Sequence, residues 1–280
     1  ISKKSVVGIV DPELDISIVD FPSIYDVPVE SYDSVLMCIP DNQKENLLKY
    51  CIENNKHVLV EKPLVVSEVS GIQELSNLAK KNKVVFYTAY NHRFEPHFVK
   101  MKQLIDSGRL GKIYSCRMFY GNGTAKLVRD SVWRDKGLGV IADLGSHLID
   151  TCFFWFPYTE FNFNLASCSK FENKSFDHAI ISSENTEVRI ELEMTLCMWR
   201  NHFTCDILAE KGSAHIESLC KWGPSKFIHR TRAYPSGRPT EEQNVLVMND
   251  PTWKSEIEHF NSLVTSKKFV SKESDKFLHT

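Results

Sequence analysis

The sequence predicts an α/β chain in two parts. A doubly wound parallel-sheet domain covers residues 1–88, and an α+β domain with an open, mainly antiparallel sheet covers 89–280. Three observations predict it. Up to Thr88, short apolar runs alternate with amphipathic, helix-length segments, the pattern of strand–helix–strand units that close only as parallel crossovers. Beyond Lys112 extended segments follow one another with little helix between them. Among these, Glu187–Leu196 (EVRIELEMTL) alternates polar and apolar residues, the mark of a strand with one solvated face.

In the first part, Ser5–Val10 reads as a strand that ends at Asp11-Pro12-Glu13. Residues 14–33 are punctuated by Pro and Asp and carry little helical periodicity. Ser34–Ile39 (SVLMCI) is a continuous apolar run suited to a strand buried on both faces, and Pro40 stops it. Asp41 or Asn42 then caps a helix with Leu47, Leu48, Cys51 and Ile52 on one face. A strand at His57–Val60 runs into Glu61-Lys62-Pro63. Ser67 caps a second helix that points Ile72, Leu75, Leu78 and Ala79 inward, and Lys83–Thr88 is the next strand.

The domain boundary falls near 88–92. A helix over Pro96–Ser107 ends at Gly108. Strands are expected over 112–121, 161–171, 176–184, 187–196, 202–210, 212–217 and 225–231. A helix over Asp143–Trp155 interrupts them, and a last helix over Trp253–Ser266 aligns Ile257, Phe260, Leu263 and Val264.

Composition narrows the function. With 34 basic and 36 acidic side chains the net charge is −2, so nothing draws the chain as a whole to nucleic acid or to an anionic membrane. No apolar run approaches the roughly 18 residues that span a bilayer. The eight cysteines include no C-x-x-C pair, so no metal site is expected; most lie among apolar neighbours as core thiols. A reduced, cytoplasmic setting follows from that usage. The chain starts at Ile1 and enters a strand-like run almost at once, which suggests a missing N-terminal piece.

Four groups of residues can carry chemistry. Asp11 ends a strand where an acidic side chain can accept hydrogen bonds from the ribose of a dinucleotide; as part of Asp-Pro it is equally a turn former. A carboxylate there repels a 2′-phosphate and favours NAD over NADP. The glycine fingerprint belongs about 20 residues before such an acid, and only ten residues precede Asp11. Gly137-Leu-Gly-Val-Ile-Ala142 matches G-x-G-x-x-A in letters, but Arg134-Asp135-Lys136 stands where an apolar strand is required, so it reads as a tight turn before a helix.

Glu61-Lys62-Pro63 lies at the carboxyl end of a strand, where open α/β sheets bind ligands. Lys62 there can hydrogen-bond a substrate hydroxyl, and Pro63 restricts the lysine backbone and is compatible with a cis bond. Asp143, His147 and Asp150 share one helix face, and a carboxylate one turn before an imidazole can orient it as a general base. Read blandly, Asp143 is a helix cap and His147 its partner. Tyr90-Asn91-His92-Arg93-Phe94 follows the last strand of the first part, where its polar groups would face the same cleft.

Together these segments resemble the glucose–fructose oxidoreductase / inositol dehydrogenase (Gfo/Idh/MocA-type) family. The likeness rests on VLVEKP (58–63), YNHRF (90–94), SGRLGKIY (107–114) and GLGVIADLGSHLID (137–150), in that order, and runs from Val6 to about Ser271. It implies a Rossmann domain followed by a larger domain whose open sheet often serves oligomerisation, so a homo-oligomer is expected. It places the family's catalytic lysine on Lys62 and its Asp and His on Asp143 and His147. Pro40, after Ile39, matches the family's proline beside the cofactor; Asp11, Ile39, Pro40, Glu61 and Lys62 form the expected cofactor set. Three departures stand out: the absent glycine fingerprint, Ile39 and Lys44 where the family often has Thr and His, and an abbreviated second helix within 14–33.

The resemblance implies an NAD(P)-dependent oxidoreductase acting on a secondary alcohol of a sugar, cyclitol or nucleotide-sugar. Hydride would pass to the nicotinamide between Lys62 and the Asp143–His147 helix, and either Lys62 or His147 would act as base. Asn91, Arg93, Trp133 and Arg134 are the candidate substrate-binding residues, with Arg129 a further arginine that could meet a phosphate or carboxylate. The alternatives are a non-catalytic scaffold that kept the fold, a reductase with a tightly held cofactor, and glycosidic cleavage through transient oxidation.

Overall fold

A computed structural model describes residues 6–15, 17–66, 68–131, 133–157, 159–183, 187–267 and 275. The chain divides into two compact units: one runs to Ala89 and takes back the last helix from Ile257, and the other begins at Tyr90 and runs to Glu256.

Among the described residues the first unit holds three parallel strands, β1 (Ser34–Met37), β2 (His57–Glu61) and β3 (Phe86–Ala89), hydrogen-bonded in the order β1-β2-β3. Helices α1 (Asp41–Glu53) and α2 (Val69–Asn82) connect them. Leu48, Cys51 and Ile52 of α1 and Ile72, Leu75 and Ala79 of α2 share a core with Val58 and Val60. The sheet's other face carries Leu59, Val85 and Tyr87, on which Phe260 and Leu263 of the last helix pack. The sheet is therefore covered on both sides, as a parallel sheet requires. The expected division assigned that helix wholly to the second domain; its apolar stripe lies on this sheet instead.

Several elements differ from expectation. Among the described residues of 5–10, only Val10 makes a bridge, to Phe21, and Val6, Val7 and Ile9 are exposed; no neighbouring strand among the described residues covers them. β1 is not buried on both faces, because it has one strand neighbour and Leu36 remains 53% exposed. Asp41 does not cap α1: Pro40 holds the cap position without a side-chain bond, and the Asp41 carboxylate accepts from Lys44 Nζ. Lys83 does not start β3, because it closes α2 in the left-handed region and returns its N–H to Ala79 and Lys80. The Ser67 cap lies outside the described residues.

Among the described residues the second unit is built on eight strands in the order β11-β10-β9-β8-β4-β7-β6-β5. They are β4 (Ile113–Gly121), β5 (Phe163–Ser169), β6 (His178–Ser183), β7 (Arg189–Thr195), β8 (His202–Ala209), β9 (Gly212–Glu217), β10 (Ser225–Thr231) and β11 (Thr240–Leu246). Only β4 and β7 pair in parallel; every other neighbour is antiparallel. Period-two patterning drives one face inward: Cys116, Met118 and Tyr120 from β4, Ile190, Leu192 and Met194 from β7, Phe203, Cys205 and Ile207 from β8. Helices α3 (Pro96–Asp106) and α5 (Ser146–Trp155) share that core through Phe98, Met101, Leu148 and Cys152. Two elements escape the sequence reading: β11, whose TEEQNVL has no apolar alternation, and the short α4 (Ala125–Arg129). The last helix, α6, covers Thr252–Ser266. Among the described residues no helix is long and apolar enough to cross a membrane.

Candidate active site

The GLG turn is held from behind. Asp135 accepts from the Lys174 and Ser175 amides at 3.1 and 2.8 Å, and Asp177 from those of Phe171 and Asn173, both at 2.9 Å. The loop so ordered presents the Phe176 carbonyl to Val140 N at 2.7 Å. Gly139 has φ +53°, and a Cβ there would overlap that carbonyl oxygen. Position 139 therefore requires glycine twice over, for its backbone and for the close approach.

Past this turn the chain enters a π-helical turn, Ile141–Gly145, and only then α5. The expected single helix from Asp143 is thus split. Gly145 sits against β7, where a Cβ would come within 2.8 Å of Met194 Sδ. Asp143 rides on the π turn, a widened register often found at functional sites. Its Oδ2 lies 3.5 Å from Arg134 Nη2, with both side chains about a third exposed (31% and 34%).

His147 stands four residues on, in the first turn of α5, and is 7% exposed. Its ring stacks on His92 with centroids 4.0 Å apart and planes 19° apart. Tyr120 from β4 lies 6.2 Å away and Tyr90 meets the ring edge-on at 6.3 Å. Burial, then the Asp143 charge, pushes the Tyr120 hydroxyl far above its ordinary range, so it stays protonated. Trp222 packs on Tyr120 at 5.7 Å. Its 3-10 turn, Cys220–Trp222, is anchored by Glu95, which accepts from Cys220 N at 2.8 Å and from Cys220 Sγ at 3.1 Å.

The YNHRF segment forms a 3-10 turn, Asn91–Phe94, that frames the site. Arg93 grips Asp150 of α5 through Nε and Nη2, both at 2.7 Å, and the Asp150 side chain is 1% exposed. Asn91 Nδ2 donates to Thr252 Oγ1 at 3.0 Å, and Tyr90 OH donates to Asp275 at 2.9 Å. Of the four expected substrate ligands, Asn91 and Arg93 thus join elements of the unit, Arg134 pairs with Asp143, and Trp133 stands 60% exposed. Arg129 lies at the surface, 3.9 Å from Asp130.

In the first unit, Ile39 and Pro40 follow β1, Glu61 ends β2 and Lys62 follows it, all at the carboxyl ends of parallel strands. The Lys62–Pro63 peptide is cis. Lys44, 1% exposed, reaches across from α1 and donates to the carbonyls of Glu61 and Pro63 at 2.7 Å each, so it straps the turn that carries Lys62. Burial lowers its pKa against the upward pull of Asp41. Asp11 Oδ1 accepts from the amides of Glu13 and Leu14 at 2.8 and 3.3 Å, the geometry of a turn former.

Sequence reasoning missed Tyr120 and Trp222, and it named His92 only within its turn segment and Lys44 only as a departure from the family pattern. His92 was legible only as a letter of YNHRF, and Tyr120 only by its inward parity with Cys116 and Met118.

Comparison with known proteins bears on both units. Residues 7–90 match the model of the oxidoreductase family with an NAD-binding Rossmann fold. Residues 98–215 match the GFO/IDH/MocA C-terminal domain. The chain is 33% identical over 86 residues to a myo-inositol 2-dehydrogenase of Thermotoga maritima, covering 31% of this chain and 25% of that one. It is 32% identical over 103 residues to an NADP(+) scyllo-inositol 2-dehydrogenase of Bacillus subtilis, covering 36% of this chain and 28% of that one. The matched stretches thus span about a third or less of these curated relatives. The fold is shared with levoglucosan dehydrogenase, solved with NADH and levoglucosan, at a TM-score of 0.75 and 17% identity over 90% of this chain and 75% of that one. The chain belongs to the Gfo/Idh/MocA family of oxidoreductases.

Proposed function

We propose that this chain is a dehydrogenase that moves hydride between a nicotinamide and a secondary alcohol of a sugar, cyclitol or nucleotide-sugar. The observation that carries the reading is the placing of Asp143, on a π turn, four residues before His147, whose ring is walled by aromatic side chains beside a protonated Tyr120. The relatives named for acting on inositols support the substrate class.

The nicotinamide, when bound, supplies the hydride acceptor. Asp11, Ile39, Pro40, Glu61 and Lys62 would hold it; the Asp11 carboxylate can accept from ribose hydroxyls, and the turns at the strand carboxyl ends can line the nicotinamide. The first unit's glycines stand only at 8 and 71, so no pyrophosphate cradle is assigned to these residues. The Asp11 carboxylate repels a 2′-phosphate, which makes NAD the cofactor of choice over NADP.

His147 accepts the hydroxyl proton as hydride departs, and the imidazolium so formed gains the nearby Asp143 charge. Lys62 donates to the developing alkoxide, with its turn strapped by Lys44. Tyr120 supplies a second hydroxyl donor, while Trp133 and Arg134 are assigned to the substrate. The outward sheet face, with Leu208 56% exposed and the Arg117–Glu191 pair, is assigned to pairing with a second copy. All eight cysteines are free thiols, in keeping with a reducing cytoplasmic setting.

The test has two steps. Calorimetry measures NAD⁺ and NADP⁺ binding, and His147→Asn is then assayed for turnover. A fall of at least about a hundredfold with NAD⁺ affinity intact is expected; near-normal turnover sinks the assignment, and no nicotinamide binding leaves the scaffold alternative.

A further inference from the structure

We propose that His92 is a positioning residue of this site: its imidazole is the platform that fixes the ring plane of His147, an inference that rests on reading His147 as the proton acceptor. The two rings lie face to face, 4.0 Å apart and 19° from parallel. His92 is itself 2% exposed and confined by Phe98 at 5.6 Å and Tyr120 at 5.5 Å. The turn that carries it is pinned on both sides, by Asn91 to Thr252 and by Arg93 to Asp150. The platform is therefore rigid because its neighbours in sequence are tied to α6 and α5.

Ring plane matters because an imidazole's lone pair and N–H lie in that plane. Rotation about the Cβ–Cγ bond of His147 sweeps both nitrogens away from any fixed hydroxyl. A flat wall at van der Waals distance blocks the rotation at no cost in hydrogen bonds. Stacked rings aim their nitrogens in two parallel planes, so neither donates to the other. His92 accordingly acts on His147 through geometry.

Three variants test this in the full chain, with NAD⁺ and myo-inositol or whichever polyol the wild type oxidises. His92→Leu and His92→Met remove the flat wall while filling the space. Both are expected to lose about tenfold or more in kcat with KM changed by less than about threefold, since misplacement of a reacting group by an ångström costs on that scale. His92→Phe keeps the wall and restores kcat to within about threefold. Wild-type kcat in the Leu and Met variants overturns the proposal, as does a Phe variant as impaired as they are, or a loss confined to KM.

An independent readout is the NMR spectrum of the histidine rings, with His147 assigned by its loss in His147→Asn. The wild-type His147 ring protons are expected upfield, shielded by the stacked neighbour, and to stay there in His92→Phe and move in His92→Leu. An unshielded wild-type signal overturns the platform even where the Leu and Met variants fail to fold. A displaced signal in His92→Leu, combined with full activity in His147→Asn, keeps the stack but sinks the base assignment on which the catalytic role depends.

Discussion

Replacing Asp150 by Asn should destabilise the second unit severely, through a pair that sequence patterning did not foresee. Asp150 has 1% of its side chain exposed and accepts two charge-assisted bonds from Arg93 at 2.7 Å each. Breaking a buried pair from one side strands the other charge and costs about 3–5 kcal/mol. Arg93 retains 22% exposure, so water can reach part of the guanidinium, and the lower end, about 3 kcal/mol, applies. For a unit of this size each kcal/mol moves the melting temperature by about 2–4 °C, so a drop of about 6–12 °C is expected in a thermal melt followed by circular dichroism. The double replacement Arg93→Met with Asp150→Leu, which removes both charges and keeps volume, should recover most of that loss. Its kcat should still fall, because the turn bearing His92 loses its clamp to the helix bearing His147. A melting shift below about 2 °C in Asp150→Asn, or a double variant no more stable than the single one, would refute the argument.

Three further replacements probe other parts of the structure. Gly139→Ala should cost about 2–4 kcal/mol, combining left-handed backbone with overlap on the Phe176 carbonyl, whereas Gly137→Ala, at φ +60° with nothing near its Cβ, should cost about 1 kcal/mol; equal melting shifts would refute the close approach. His57 titrates in the first unit: its Nδ1 accepts from Val85 N at 2.8 Å, and burial lowers its pKa below the ordinary 6.5. Between the lowered value and 6.5 the unfolded chain binds more protons, so this stability is full above 6.5 and is lost as pH falls through the folded pKa. His57→Asn, an acceptor that does not titrate, should flatten that acid limb in urea melts at stepped pH; an unchanged slope removes His57 from the account.

What the sequence made legible follows its physical period. Strands with one solvated face announce themselves by alternation, so β4 and β6–β10 stand close to where EVRIELEMTL and its neighbours put them. β11 does not alternate, because it is an edge whose Glu241 and Glu242 answer Arg230 and Arg109 across the strands and not a core. Val6, Val7 and Ile9 have strand-like composition, but a strand also needs a neighbour, which composition cannot supply. Asp143 and His147 were visible because four-residue spacing survives the change from α to π register. His92 and Tyr120 reach the same imidazole from two other elements and Trp222 backs Tyr120 from a third, and no local pattern links a turn at 92 to a strand at 120 and a turn at 222.

The acidic residues around the candidate site are held in different ways. Asp135, Asp177 and Glu95 all accept from backbone amides, each fastening a loop. Such carboxylates are fixed: releasing one would leave buried N–H groups without acceptors, at about 1–3 kcal/mol apiece. Asp150 is fixed likewise by Arg93. Asp143 differs in two respects. It rides on a π turn, and its contact with Arg134 is long, at 3.5 Å, between side chains a third exposed to water. An ion pair of that length and exposure is worth little, about 0–1 kcal/mol. The proposed role of Asp143 thus asks it to loosen a contact of little worth, whereas Asp135, Asp177, Glu95 and Asp150 are committed to loop amides and to Arg93.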